Sequence, residues 1–129
     1  METKILKEWL YLADMDLDSA QLLREWRPAH HEIICYHCQQ AAEKYLKGFL
    51  YAQDIEPPRI HDIGELCFLC AGINASFDLL RDECVYLTGF ATQPRYPQEL
   101  NITEAMVDKA LLNAAAIKDF PPIANLQHL

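Results

Sequence analysis

The chain has 129 residues, of which 51% are hydrophobic, and its formal net charge is −8. This length predicts one domain with a single core, and 19 acidic residues against 11 lysines and arginines exclude general DNA binding. The sequence contains neither an apolar run long enough for a membrane span nor the pattern of a signal peptide. We therefore expect a cytoplasmic protein whose five cysteines are reduced.

Apolar residues recur at helical spacing in five segments of the chain. The predicted helices cover approximately residues 3–26, 31–53, 62–73, 76–91 and 103–119. Pro28 ends the first helix, and Pro57 and Pro58 follow the second. Since the links are short and no segment alternates like a strand, the pattern predicts an all-α fold. We expect an up-and-down antiparallel helical bundle of four to five helices over residues 1–120, followed by a loosely ordered tail at 121–129.

Two C-x-x-C pairs, Cys35 with Cys38 and Cys67 with Cys70, raise the question of a zinc site. Structural zinc sites commonly separate such pairs by about 15–20 residues and place them in tight turns. The gap here is longer, and all five cysteines fall on the apolar sides of predicted helices, where a free cysteine packs as a small hydrophobic residue. The sequence favours buried thiols and predicts no metal site and no cofactor.

An acidic residue, Asp16, falls on the apolar side of the first predicted helix, between Trp9, Leu12 and Ala20. A carboxylate in that position needs a cationic or hydrogen-bonding partner. We expect the partner to be His61 or Arg95, which lie in loops or at helix starts, or a backbone N–H of those loops. The contact would either attach a loop to the bundle or form part of a ligand site.

The second predicted helix has a polar side opposite its apolar side. This side holds Tyr36, Gln40, Glu43, Lys47 and Tyr51, with Lys44 nearby. One interpretation is a solvated face with an internal Glu43–Lys47 ion pair. The other is a strip that binds a phosphate or docks a partner protein, because two lysines are concentrated here in an acidic chain.

Four motifs in order resemble the prokaryotic HEPN domain family. The most extensive is CYHCQQAAEKYLKGFL, residues 35–50, which resembles the second helix of these domains. Trp9, Ala13, Asp16, Leu17 and Ala20 are similar to the W-x₃-A-x₂-DL-x₂-A pattern of the first helix; His61-Asp62-Ile63 with Leu66 is similar to HDL-x₂-L; and Arg95-Tyr96-Pro97 is similar to the RYP loop. The resemblance extends from about Trp9 to Ala116.

The resemblance implies a helical bundle that dimerises and that is paired with a minimal nucleotidyltransferase, as one half of a toxin–antitoxin system. Many members are metal-independent ribonucleases with an R-x₄₋₆-H motif late in the bundle. In this sequence Arg95 is followed by YPQELN without a histidine, and the spacing occurs only from Arg24 to His30 or His31, at the first helix–helix junction. The resemblance therefore favours a non-catalytic component that binds a nucleotidyltransferase or a nucleotide, and a ribonuclease toxin acting on RNA is the alternative.

The residues that we expect at a ligand or partner site share a polar or cationic side chain near these motifs. They are Asp16, Lys44, Lys47, His61, Arg95 and Tyr96. Arg95 beside Tyr96 suits contact with a phosphate and a base, and no catalytic residue is assigned. A second apolar stripe on the fourth predicted helix, Leu79, Tyr86 and Phe90, predicts a homodimer interface.

Overall fold

The computed structural model of the chain describes residues 1–90 and 101–129, and these residues form helices and connecting segments without a strand. The α-helices are α1 (Thr3–Trp26), α2 (His31–Ala52), α3 (Ile63–Ala71), α4 (Arg81–Thr88), α5 (Glu104–Asp119) and α6 (Pro121–Ala124), and 3₁₀ helices cover Ala75–Leu80 and Asn125–His128. The all-α helical bundle predicted from periodicity is confirmed. In this part of the chain no helix combines the length and the hydropathy that crossing a membrane requires.

The long helices α1 and α2 form an antiparallel hairpin. The backbone N–H of Glu2, at the start of α1, donates to the hydroxyl of Tyr51 at the end of α2 over 3.0 Å. The side of α1 that faces the core consists of five fully or nearly buried side chains: Leu6, Leu10, Ala13, Leu17 and Ala20. The predicted apolar side was too wide, because Leu12 is 43% exposed.

The central helix of the bundle is α2. It packs against α1, α3, α4, α5 and α6, and most of its length from Ile34 to Leu50 is buried. A helix surrounded by neighbours must place its polar side chains against other elements rather than in water. This position of α2 is what creates the candidate site described below.

Side-chain caps are present at the start of α3 and of α5. The side chain of Asp62 accepts from the backbone N–H of Glu65 over 3.0 Å, and the hydroxyl of Thr103 accepts from the N–H of Met106 over 3.2 Å. Each cap satisfies a donor that the first turn of a helix leaves unpaired. The Asp62 cap fixes the start of α3 and, with it, the position of the preceding His61.

The fourth predicted helix differs from the observed structure. Its first part, Ala75–Leu80, is a 3₁₀ helix, and α4 begins only at Arg81. A 3₁₀ helix has three residues per turn, so Phe77 and Leu80 both face the core from this short segment.

The C-terminal residues are also structured, so the expectation of a loose tail needs correction. Phe120 is extended, and Pro121 and Pro122 open α6 at its first positions, where proline is well tolerated. Ile123 and Leu126 are buried in the core, and the Phe120 ring meets the Phe77 ring with centroids 5.0 Å apart. The two prolines thus start a short helix in the segment that was expected to be a loose tail.

All five cysteines are free and buried, as predicted. Burial, with a smaller contribution from Glu32, raises the pKa of Cys35 to about 12, and burial also raises the pKa of Cys38 and of Cys70. Cys67 differs, because a hydrogen bond with the Cys84 thiol lowers its pKa against the opposing effect of burial. The Cys67 side chain is nevertheless only 2% exposed.

We expect the native protein to react very slowly with a thiol reagent such as dithionitrobenzoate at neutral pH, and Cys67 to react first. The reagent needs both a thiolate and access, and burial removes access at every site. In denaturing guanidinium chloride all five thiols should react at once. Rapid modification of several thiols in the native protein, followed by absorbance, would contradict the packing described here.

Candidate functional site on the central helix

Polar side chains follow one side of α2 and form two groups. We call Asp16, His37 and Lys44 the Asp16 cluster, and Gln39, Glu43, Lys47 and His61 the Glu43 cluster. The first group lies where α1 packs on α2, and the second lies where the segment leading into α3 meets α2. Together they include four of the six residues that the sequence indicated as a site.

In the Asp16 cluster one carboxylate accepts hydrogen bonds from two side chains, a histidine and a lysine. Asp16 is 14% exposed, and its Oδ1 accepts from Nδ1 of His37 over 2.8 Å, while its Oδ2 accepts from Nζ of Lys44. Burial by itself raises the pKa of Asp16, but the hydrogen bonds and charges of His37 and Lys44 lower it further than burial raises it. Asp16 is therefore a paired carboxylate, and Lys44 has a fixed direction.

The predicted burial of Asp16 is confirmed, but its predicted contact with His61 is wrong. His61 bonds to Glu43, and Arg95 lies outside the described residues. A short link joins α1 to α2, and the two helices are antiparallel. Residues that face each other across this hairpin therefore have numbers that add up to about 57, as do Trp26 at the end of α1 and His31 at the start of α2. That register places Asp16 beside position 41, within one turn of both His37 and Lys44.

In the Glu43 cluster one carboxylate accepts three hydrogen bonds. Its Oε1 accepts from Nδ1 of His61 over 2.9 Å and from Nε2 of Gln39 over 3.3 Å, and its Oε2 accepts from Nζ of Lys47 over 3.1 Å. The same amide of Gln39 lies 3.3 Å from the backbone oxygen of His61, and Gln40 donates to Oε1 of Gln39 over 2.7 Å. The residues from Gln39 to Lys47 thus hold the segment before α3 against α2.

The Glu43–Lys47 ion pair predicted from the sequence is present, but it is buried rather than solvated. The two side chains are 8% and 7% exposed. A surface pair at this spacing contributes only a few tenths of a kcal/mol, whereas removing one member of a buried pair leaves an uncompensated charge. The interpretation of this side of α2 as a solvated face is therefore wrong for its central residues.

His61 lies at the rim of the Glu43 cluster, with its side chain 61% exposed. A hydrogen bond from Nδ1–H to a carboxylate selects the tautomer in which Nε2 carries a lone pair. The ring is thus oriented by Glu43 with the second nitrogen available to solvent or to a ligand. His37 is held in the same way by Asp16, but its side chain is only 28% exposed.

Arg24, the arginine that has a histidine at the ribonuclease-like spacing, makes ion pairs between helices. Arg24 donates to Asp108 from Nε over 2.8 Å and to Glu104 over 2.7 Å, which ties α1 to α5 and raises the pKa of the arginine. His31 contacts the backbone oxygen of Ile102 with Nδ1 at 2.8 Å. Both residues therefore serve contacts between structural elements.

The apolar stripe predicted on the fourth helix is not a continuous surface. Phe90 is 5% exposed and belongs to the core, Tyr86 donates its hydroxyl to the backbone oxygen of Met106 over 3.1 Å, and Leu79 is 77% exposed. Leu79 lies in the 3₁₀ helix before α4, so the three side chains do not share one helix side. The stripe therefore does not form the continuous apolar surface from which we expected a dimer interface.

Three members of the site, His37, Gln39 and Glu43, were not among the residues selected from the sequence, although Glu43 was placed on the polar side of the second predicted helix. The hairpin register could have indicated His37, because it pairs positions 16 and 41 and their neighbours. Gln39 lies one turn before Glu43, at the spacing of an internal hydrogen bond. Arg95 and Tyr96 lie outside the described residues, and in residues 1–90 and 101–129 no three His, Cys, Asp or Glu side chains are grouped as metal ligands.

The geometry defines a class of protein: an all-α bundle whose central helix holds two carboxylate-centred polar clusters. The model of the HEPN domain family matches residues 6–122, so the chain belongs to that family and the resemblance in the sequence is confirmed. The crystal structure of an archaeal HEPN homologue is similar in fold, with a TM-score of 0.71 and 22% identity over 95% of each chain. Among the curated proteins there is no match to this chain.

Proposed function

We propose that this chain is a non-catalytic, homodimeric HEPN subunit of a toxin–antitoxin-type pair. In this proposal the polar side of α2 binds a minimal nucleotidyltransferase or a nucleotide. The observation that carries the proposal is the pair of clusters on α2, which concentrate histidine and lysine side chains in a chain of net charge −8. The family implies the partner, and the use of Arg24 in ion pairs argues against the catalytic reading of its spacing.

The clusters are suited to recognition because their donors are held in position before a ligand arrives. Asp16 directs Lys44, which keeps two further ammonium hydrogens and is 22% exposed. Glu43 directs His61, whose side chain is 61% exposed. Side chains that are already fixed lose little conformational entropy on binding, so a partner carboxylate or a phosphate gains most of the interaction.

We expect His61→Ala to weaken binding of the nucleotidyltransferase while leaving the fold intact. The exposed imidazole would be lost, but the buried Glu43–Lys47 pair would remain. The two genes would be coexpressed with a tag on the nucleotidyltransferase, and the complex quantified by light scattering after chromatography. Arg59→Ala, an exposed change two residues earlier, is the matched control and should bind normally.

The outcome that contradicts the partner proposal is equal binding by wild type, His61→Ala and Lys44→Ala. The nucleotide is tested separately, by calorimetric titration of the purified chain with ATP and with AMP. Heat that disappears in Lys44→Ala but persists in Arg59→Ala would support a nucleotide site. The absence of heat with both nucleotides would leave the protein partner as the ligand of this surface.

A ribonuclease is the second candidate, and the His61–Glu43 contact is the observation that favours it. A histidine oriented by a carboxylate, with its other nitrogen exposed, has the arrangement of a general base. Cleavage of RNA in the presence of EDTA, abolished by His61→Ala or by Arg95→Ala, would establish the enzyme. Intact RNA with wild-type protein would favour the non-catalytic proposal.

A further inference from the structure

The outer side of α1 carries an exposed row of large apolar side chains. Tyr11, Met15, Leu22 and Trp26, which we call the α1 row, are 64%, 47%, 60% and 64% exposed. At 100° per residue the four lie within an arc of about 60°, opposite the side of α1 that enters the core. Exposed large apolar side chains that lie on one side of a helix mark an interface more often than scattered ones do.

The α1 row is symmetric about the point between Asp18 and Ser19. Tyr11 and Trp26 are equally far from that point, and so are Met15 and Leu22. A two-fold axis perpendicular to the helix there maps the row onto itself. An interface between two copies with two-fold symmetry requires a patch of this self-complementary kind. Tyr11 would then pack on Trp26 of the partner subunit, and Met15 on Leu22 of the partner subunit.

Charges at the ends of the row agree with the same pairing. The guanidinium of Arg27 lies 4.6 Å from the centroid of the Trp26 ring. Glu8 precedes Tyr11 by three residues and is exposed. An antiparallel pairing brings Glu8 of one copy towards Arg27 of the other, and the symmetry repeats this attraction at the opposite end.

The size of the row is compatible with a reversible dimer. Aromatic side chains bury about 150–250 Å² each when fully covered, and the two in the row are about two-thirds exposed. With Met15, Leu22 and the flanking residues, the pairing would bury roughly 800–1,200 Å² in total, below the range of about 1,200–2,000 Å² for stable interfaces and within that of weak, transient ones. A contact of that area, between copies that each carry net negative charge, suits micromolar affinity.

We propose that two copies of this chain associate through the α1 row, with their α1 helices antiparallel and the two-fold axis between Asp18 and Ser19. The proposal rests on the homodimeric state given under the proposed function and identifies the surface that forms it. It leaves the polar side of α2 available to another partner.

Sedimentation tests the surface. The wild type should pass from monomer to dimer between roughly 1 and 100 µM protein. Leu22→Glu should weaken dimerisation at least tenfold, because it places a charge in the apolar contact. Leu112→Glu, a change at a 72% exposed leucine of α5, is the matched control and should dimerise like the wild type. Circular dichroism of each variant shows that it is folded.

Crosslinking tests the register. Tyr11→Cys mixed with Trp26→Cys should form a disulfide-linked dimer, whereas neither variant alone should, because identical positions lie about 22 Å apart along the axis. The five native thiols are buried and contribute little background. A wild type that stays monomeric at the highest concentration overturns both the homodimer and the row. The homodimer stands but the α1 row is not its interface if Leu22→Glu leaves dimerisation unaffected. The same conclusion follows if each single cysteine variant crosslinks as well as the mixture does.

Discussion

Replacing Glu43 by alanine is expected to lower the free energy of unfolding by about 3–5 kcal/mol, the cost of breaking a buried ion pair. The ammonium of Lys47 would lose its carboxylate at a site where the side chain is 7% exposed. His61 would lose its acceptor in the same substitution, and Gln39 would lose one of its two acceptors. Urea-induced unfolding followed by circular dichroism measures the difference.

Two further variants test whether the cost of Glu43→Ala comes from the buried, unpaired charge of Lys47. Glu25→Ala, an exposed change on α1, should alter the free energy of unfolding by no more than about 0.5 kcal/mol. Replacing both members by apolar residues, Glu43→Leu with Lys47→Met, should cost less than Glu43→Ala alone, because no buried charge remains unpaired. If Glu43→Ala unfolds at the urea concentration of the wild type, Lys47 finds another partner or water.

Replacing Asp16 by alanine is expected to lower the free energy of unfolding by about 1–4 kcal/mol. The change removes one acceptor from His37 and one from Lys44, both of which are partly buried between α1 and α2. Asp16→Asn should cost less, because the amide keeps an acceptor and a similar shape. Asp18→Ala, an exposed change one half-turn away, is the control.

The contribution of Asp16 should also depend on pH in a defined direction. Its pKa in the folded protein lies below the ordinary value of 3.8, so the stabilisation is complete above that value and is lost as the pH falls through the lowered pKa. The difference in unfolding free energy between wild type and Asp16→Asn should therefore shrink below about pH 4. A difference that persists undiminished well below about pH 3 would contradict the ion pair.

The Asp16 variants also distinguish a structural role from a binding role. A lower melting temperature with normal binding by the folded fraction would make the cluster a helix–helix contact. Unchanged melting with lost binding of the nucleotidyltransferase or of ATP would place Asp16 and Lys44 in the site itself. Full stability and full binding in Asp16→Ala would show that this carboxylate contributes to neither.

Local patterns in the sequence determined the ends of the three longest helices and most of their buried apolar residues. The periodicity placed α1, α2 and α5 within a residue or so of their observed ends, and it assigned all five cysteines to the core. These properties depend on side chains three or four positions apart, which a helix brings together whatever its surroundings. The family motifs depend on local order as well, and they identified the fold correctly.

Only the tertiary structure decided which polar groups meet. Asp16 binds His37 and Lys44 because of the axial register of α1 on α2, and His61 reaches Glu43 because the Asp62 cap fixes the start of α3 beside the central helix. The burial of Lys47 follows from neighbours on every side of α2, and periodicity within α2 cannot report those neighbours. A contact between distant residues depends on the rotation and sliding of whole helices, which are set by packing of the complete core.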